Sequence, residues 1–348
     1  MIRIAISILP VFIFLVTLIY LDSFKLVKIS LVVQTIIAGS VAAGISYLIN
    51  VFIINNTGIN LLIYTMYFSP LIEESLKALF VLYLLTKGKV GFMIDAAIYG
   101  FAVGAGFAFI ENIYYLSSIN QSNLIVWFIR GCGTAVMHGG TTAIFAIITK
   151  NIIDRQSESK VLRILPGLIT AILYHFIPGF VFAFGIHSFF NHFVFSPVLL
   201  TLLQLIVLPA IIAFVFYRSE KLLTEWMEKG MDNEVELLEQ INEGKMSETH
   251  VGQYLLALKD NFSGTVIADM LCYIRNHMEL AIQAKGVLLM KQSGIPVAID
   301  DETREKFNEL KYLEKSIGQT GKMAISPILH TSTRDLWQLY MLENSSRR

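Results

Sequence analysis

Residues 61–85 read LLIYTMYFSPLIEESLKALFVLYLL, a run in which only Glu73, Glu74 and Lys77 carry charge. About 20 apolar residues cross the hydrocarbon core of a bilayer, so the run has the length of a membrane span. Charged side chains at the centre of a span are expensive and are kept where they face a bundle interior or water. The stretch therefore predicts a helix surrounded by other membrane helices, with a polar centre.

Six further apolar stretches flank it, near 4–22, 29–53, 91–116, 124–149, 164–188 and 197–217. The fold class expected is all-α: a polytopic membrane helix bundle of about seven spans, followed by a helical cytoplasmic tail. The polar notch from Asn191-His192 to Ser196-Pro197 leaves room for an eighth, short helix. Pro70, Pro166, Pro178 and Pro197 mark expected kinks or ends. Arg3 followed by an apolar run imitates a secretory signal, but Leu21-Asp22-Ser23 offers no small-x-small cleavage site. The run is read as a retained anchor.

Charge divides the chain. Residues 1–218 hold 12 basic and 7 acidic side chains, and residues 219–348 hold 15 basic and 20 acidic ones. The net charges, +5 and −5, cancel over the chain but separate a membrane domain (1–218) from a soluble, acidic, mainly helical domain (219–348). A single soluble globule is excluded by a charged content of 16%, against roughly 25% for such domains. Nucleic-acid binding is excluded by the lack of a basic footprint. Cys132 and Cys272 form neither a disulfide framework nor a CxxC metal knuckle.

The loops alternate in charge. Lys25 and Lys28 follow the first span, Lys87 and Lys89 the third, Lys150, Arg155, Lys160 and Arg163 the fifth, and Arg218 and Lys221 the seventh. The loops near 54–60, 117–123 and 189–196 carry no Lys or Arg. By the positive-inside rule the N-terminus lies outside a cell membrane and the tail in the cytoplasm. In the tail, Asp300 or Asp301 caps an amphipathic helix carrying Phe307, Leu310, Leu313 and Ile317, which Gly318 ends. His250, His277 and His330 are scattered and read as ordinary histidines.

The intramembrane polar residues are the informative set. Lys77 lies four residues after Glu73 and three after Glu74, on the matching helix face. One carboxylate can then be paired while its neighbour stays free for proton transfer. Phe107 and Glu111 are four apart, beside Gly100, Gly104 and Gly106, which would admit a neighbouring helix closely. His138 lies mid-span, two turns after Arg130, and His187 and Asn191 are again four apart. A carboxylate and two imidazoles with an open fourth position would suit a catalytic divalent metal, zinc above others. A metal-free alternative has Glu and His activating water and Asn stabilising an oxyanion.

The ordered set Glu73-Glu74-x-x-Lys77, Phe107-x-x-x-Glu111, His138 and His187-x-x-x-Asn191 resembles the PrsW family of intramembrane proteases. That family is related to the CAAX-processing and bacteriocin-immunity membrane proteases, whose signatures are EExxxR, FxxxH and HxxxN-like. The resemblance covers about residues 60–200 and makes 1–218 a protease domain. It implies an intramembrane endopeptidase cutting membrane-anchored protein substrates, anti-sigma-like factors among them. Glu73, Glu74, Lys77 and Asn191 become the catalytic candidates and Glu111, His138 and His187 the metal ligands. The second motif ends in Glu111 where the related families have His, so a glutamate-activated water stands beside the metalloprotease reading. The rival functions are a proton- or ion-coupled transporter using the same buried acids and histidines, and a non-catalytic membrane scaffold.

Overall fold

The structure is a computed structural model describing residues 1–22, 27–119, 123–158, 168–192, 194–293, 295, 300–329, 337–339 and 341–343. Of the positions singled out above, Ser23, Lys25, Lys160, Arg163, Pro166 and His330 lie outside the described residues. Every regular element among the described residues is helical. In chain order these are α1 (Ile2–Tyr20), α2 (Ile29–Thr57), α3 (Leu61–Ile63), α4 (Ser69–Thr86), α5 (Met93–Ser118), α6 (Leu124–Phe128), α7 (Val136–Glu158), α8 (Leu168–Asn191), α9 (Pro197–Asn242), α10 (His250–Ala257), α11 (Gly264–Gln292) and α12 (Asp301–Leu329). One π-helical segment, Tyr64–Phe68, leads into α4, and another, Ile129–Ala135, leads into α7.

The chain divides into two compact units, Met1–Ser219 and Glu220–Arg348. In the first, α5 is the axis: all residues from Met93 to Ala108 are buried, and α5 packs against α7 and α2. Small residues make this possible. A Cβ at Gly104 would come within 2.1 Å of the His138 carbonyl oxygen, and one at Gly106 within 2.0 Å of that of Ile36. The first glycine thus sets the α5–α7 distance at the level of His138. By contrast α1, α2 and α9 turn exposed apolar side chains outward, among them Ile13, Ile37, Leu48, Ile206 and Phe214. Such faces suit acyl chains.

Five helical runs among the described residues are long and apolar enough to cross a membrane: α1, α2, α5, Leu124–Asp154 and Pro197–Glu228. The expected seven differ for local reasons. The 61–85 stretch is divided into α3, a π segment and α4, and the 18 residues of α4 contain Glu73, Glu74 and Lys77. The sixth stretch is described only from Leu168. Pro70 opens α4 and Pro197 opens α9, whereas Pro178 lies inside α8.

In the second unit α11 packs on α12, burying Ile274, Ala281 and Leu288 with Leu310, Leu313 and Ile317. Asp300 Oδ1 accepts the Thr303 backbone N–H at 3.0 Å, which caps α12. Gly318 adopts φ 67° and interrupts the helix, which resumes and runs to Leu329 rather than ending.

Candidate active site

Three helices that are not neighbours in sequence bring the polar residues together: α4 supplies Glu73, Glu74 and Lys77, α7 supplies His138, and α8 supplies His187. All five are buried. Two π segments stand immediately before two of the contributing helices, a distortion often found where side chains are re-aimed at functional sites.

Glu74 is heavily engaged. Its Oε1 accepts from Lys77 Nζ at 2.6 Å, from His187 Nδ1 at 2.7 Å and from Thr141 Oγ1 at 3.2 Å. An ionised carboxylate only accepts, so Nδ1 of His187 carries the proton. Its Nε2, on the opposite side of the ring, faces Glu73 Oε2 across 3.7 Å. The other oxygen of Glu73 accepts from Ser69 Oγ at 2.6 Å. Ser69 in turn lies 3.2 Å from Asn50, whose Oδ1 accepts from Tyr64. The two adjacent glutamates thus differ: Glu74 is an anchor, and Glu73 presents an oxygen to the centre.

His138 repeats the pattern from the other side. Lys77 Nζ lies 3.1 Å from its Nδ1. An ammonium has no lone pair, so Nδ1 accepts and Nε2–H donates to Glu111 Oε2 at 3.0 Å. Glu111 is pinned by Arg130 at 3.1 Å, and the guanidinium stacks on Tyr115 and donates from Nε to Asn112. Each imidazole is therefore backed by a carboxylate that is itself held by a cation: Glu74 with Lys77, Glu111 with Arg130. The two rings meet edge to face with centroids 4.8 Å apart, and Phe107 covers His138 at 4.9 Å.

Ligand atoms of Glu73, His138 and His187 lie within 4.8 Å of one another. One carboxylate and two imidazoles form a donor set that fits a borderline divalent ion. His187 fits directly, its Nδ1–H held by a carboxylate as in carboxylate–histidine–metal arrangements. His138 would exchange its Lys77 hydrogen bond for the ion. The expectation grouped Glu111 with the imidazoles; in the structure Glu111 stands behind His138, and Glu73 occupies the third corner.

Asn191 is placed elsewhere. Its Nδ2 donates to the Thr65 carbonyl at 3.0 Å, while Ser188 donates to the Met66 carbonyl and His192 meets the Tyr67 hydroxyl. The end of α8 thereby grips the π segment before α4. His175 is half-buried and makes a ring contact with Tyr174. Sequence alone gives no role to Ser69, Thr141 or Arg130. Spacing carried a signal for the first two, since Ser69 precedes Glu73 by four residues and Thr141 follows His138 by three. Nothing local ties Arg130 to Glu111.

A family model described as PrsW family intramembrane metalloprotease matches residues 25–217, more than half of the chain. No curated protein and no solved structure matches.

Proposed function

Since this chain belongs to the PrsW family of intramembrane metalloproteases, we propose that it hydrolyses peptide bonds of membrane-anchored proteins at the Glu73–His138–His187 centre. Family membership favours the peptidase over the transporter. The observation that carries the assignment is the asymmetry of the glutamate pair: Glu74 is saturated by Lys77, His187 and Thr141, while Glu73 turns Oε2 toward the imidazoles.

In this reading Glu73 Oε2 takes the proton of the attacking water and later passes it to the leaving amine. Glu74 fixes the tautomer and direction of His187. Glu111 and Arg130 do the same for His138, and Lys77 ties the two halves together through Glu74 and His138. Phe107 and the α5–α7 contact keep bulk water from the far side of the rings. His138 and His187 would hold a divalent ion, zinc foremost, beside the Glu73 carboxylate that stays free as the base, and a bound ion supplies Lewis-acid polarisation of the scissile carbonyl and of water. The protease domain is assigned to residues 1–218 and a cytoplasmic domain, dispensable for bond cleavage, to residues 219–348. The N-terminus is assigned to the outer side, and anti-sigma-like membrane proteins to the substrate class.

The test compares membrane proteomes of cells carrying the wild type and the Glu73→Gln/Glu74→Gln variant. Truncated membrane proteins present only with the wild type support the assignment. Identical proteomes, together with no cleavage by purified protein, would remove it.

A further inference from the structure

Beside the catalytic cluster, within the same unit, lies a cavity of about 250 Å³ bounded by α7, α8 and α9. Its position relative to the chemistry is fixed at three points. Met137 on its wall precedes His138, and Ile186 precedes His187. Thr141, a third lining residue, donates its hydroxyl proton to Glu74 Oε1 at 3.2 Å. The wall of the cavity is thus also the wall of the active site.

The lining is almost wholly apolar, and its mouth is formed by Phe189, Leu203 and Val207, which are exposed on the bundle's outer face. Its polar side chains are Thr141, turned to Glu74, and Gln204, whose amide donates to the Gly133 carbonyl at 3.0 Å. On the α7 floor Gly140 admits the Leu208 side chain of α9, whose Cδ2 would lie 2.9 Å from a Cβ there. An engineered apolar cavity of roughly 150 Å³ holds benzene, so this one has room for a side chain as large as Leu or Phe. Because its mouth is apolar and outward-facing, the occupant arrives from the acyl-chain region.

The geometry points to a specificity pocket: the space between α7, α8 and α9 takes a large apolar side chain flanking the scissile bond of a membrane-embedded substrate segment. This rests on the proteolytic reading above. Thr141 then couples selection to chemistry, since the residue that borders the occupant also holds Glu74.

The test uses full-length protein in detergent with synthetic single-span peptides of a Leu/Ala host. One position is varied through Gly, Ala, Val, Leu and Phe, and cleaved bonds are identified by mass spectrometry. Wild type is expected to prefer bonds flanked by Leu or Phe. Val207→Trp, which fills the pocket from its exposed rim, should shift relative kcat/KM toward Gly and Ala by roughly 10-fold or more. Leu203→Ala should raise the relative rate at Phe. A wild type that cleaves with no preference, or a Val207→Trp variant that slows all bonds equally as a displaced lipid chain would, overturns the pocket while leaving the protease reading intact. A wild type that cleaves no peptide overturns both.

Discussion

Among the described residues, two lysine–glutamate pairs have a fully buried lysine, one in each unit. Lys77 bonds Glu74 at 2.6 Å among the membrane helices. Lys285 bonds Glu234 at 2.5 Å in the second unit, its ammonium over the Trp226 ring. Both lysines are fully buried, and ion pairing alone does not distinguish them. The surroundings do. Glu74 also receives His187 and Thr141, and Lys77 also reaches His138, so the first pair is a junction between three helices. The second pair links α9 to α11 beside a tryptophan face, an arrangement of packing and charge neutralisation. A buried ion pair is weak evidence for anything by itself; convergence of further titratable groups on it is what marks chemistry.

The largest expected effects fall on the first pair's surroundings. Glu73→Gln should reduce cleavage by roughly 10³-fold, within the range for losing a general base, with the helical content unchanged by circular dichroism. His138→Ala and His187→Ala should each abolish stoichiometric metal measured by mass spectrometry of the purified protein. Glu74→Gln should retain metal with affinity weakened about 10- to 100-fold, as for a partner that orients a ligand. Full cleavage by metal-free protein resistant to chelators would transfer the chemistry to Glu73 and His187 acting as a glutamate-type protease.

How much of this contrast the sequence reveals depends on how far apart its partners lie along the chain. An all-helical, membrane-embedded chain follows from uninterrupted apolar runs, and the family from motif order. Lys77 and Glu74 are three apart, so helical periodicity alone places them in reach. Gly100 and Gly104 read as close-approach residues, and they do lie against α7. What stays hidden is everything set by tertiary register. The bond from His187 to Glu74 spans 113 residues. Which of two adjacent glutamates faces the imidazoles depends on a 100° step around α4, fixed by the π segment before it. The π segments themselves have no hydropathy signature, which is why 61–85 reads as one span and folds as three pieces.

The second pair should respond in stability instead. Lys285→Met leaves Glu234 partly buried without its cation and should destabilise the second unit by about 3 kcal/mol, while the Lys285→Met/Glu234→Leu double change recovers most of it. Neither should alter peptide cleavage at temperatures where the unit is folded. Nearby, burial together with the Lys285 and Lys322 charges lowers the pKa of His277 to about 4. An unfolded chain binds that proton near pH 6.5, so between pH 6.5 and 4 the unfolded state holds more protons. Stability of the unit should therefore be full above pH 6.5 and fall as pH drops toward 4, by up to about 3 kcal/mol. Hydrogen exchange of α11 amides in the full-length protein reads this, and His277→Phe should flatten the slope. A unit equally protected at pH 4.5 and pH 7 would show that His277 is not held neutral.

The smallest expected effect concerns Asn191, whose family motif and whose hydrogen bond point in different directions. As a donor to a developing oxyanion, Asn191 would cost about 10²- to 10³-fold in kcat when removed. As a grip on the Thr65 carbonyl, it is one of two side chains on α8 holding the π segment, and Ser188 keeps the neighbouring Met66 carbonyl. Losing a single hydrogen bond of this kind costs about 1 kcal/mol. Asn191→Ala is accordingly expected to lower thermal stability modestly and turnover by less than about 5-fold, with an unchanged KM. Asn191→Ala/Ser188→Ala should be worse than the sum of the single changes, because it releases both carbonyls of the segment that aims Glu73. A loss of 100-fold in kcat from Asn191→Ala alone, at unaltered stability, would instead put its amide on the substrate.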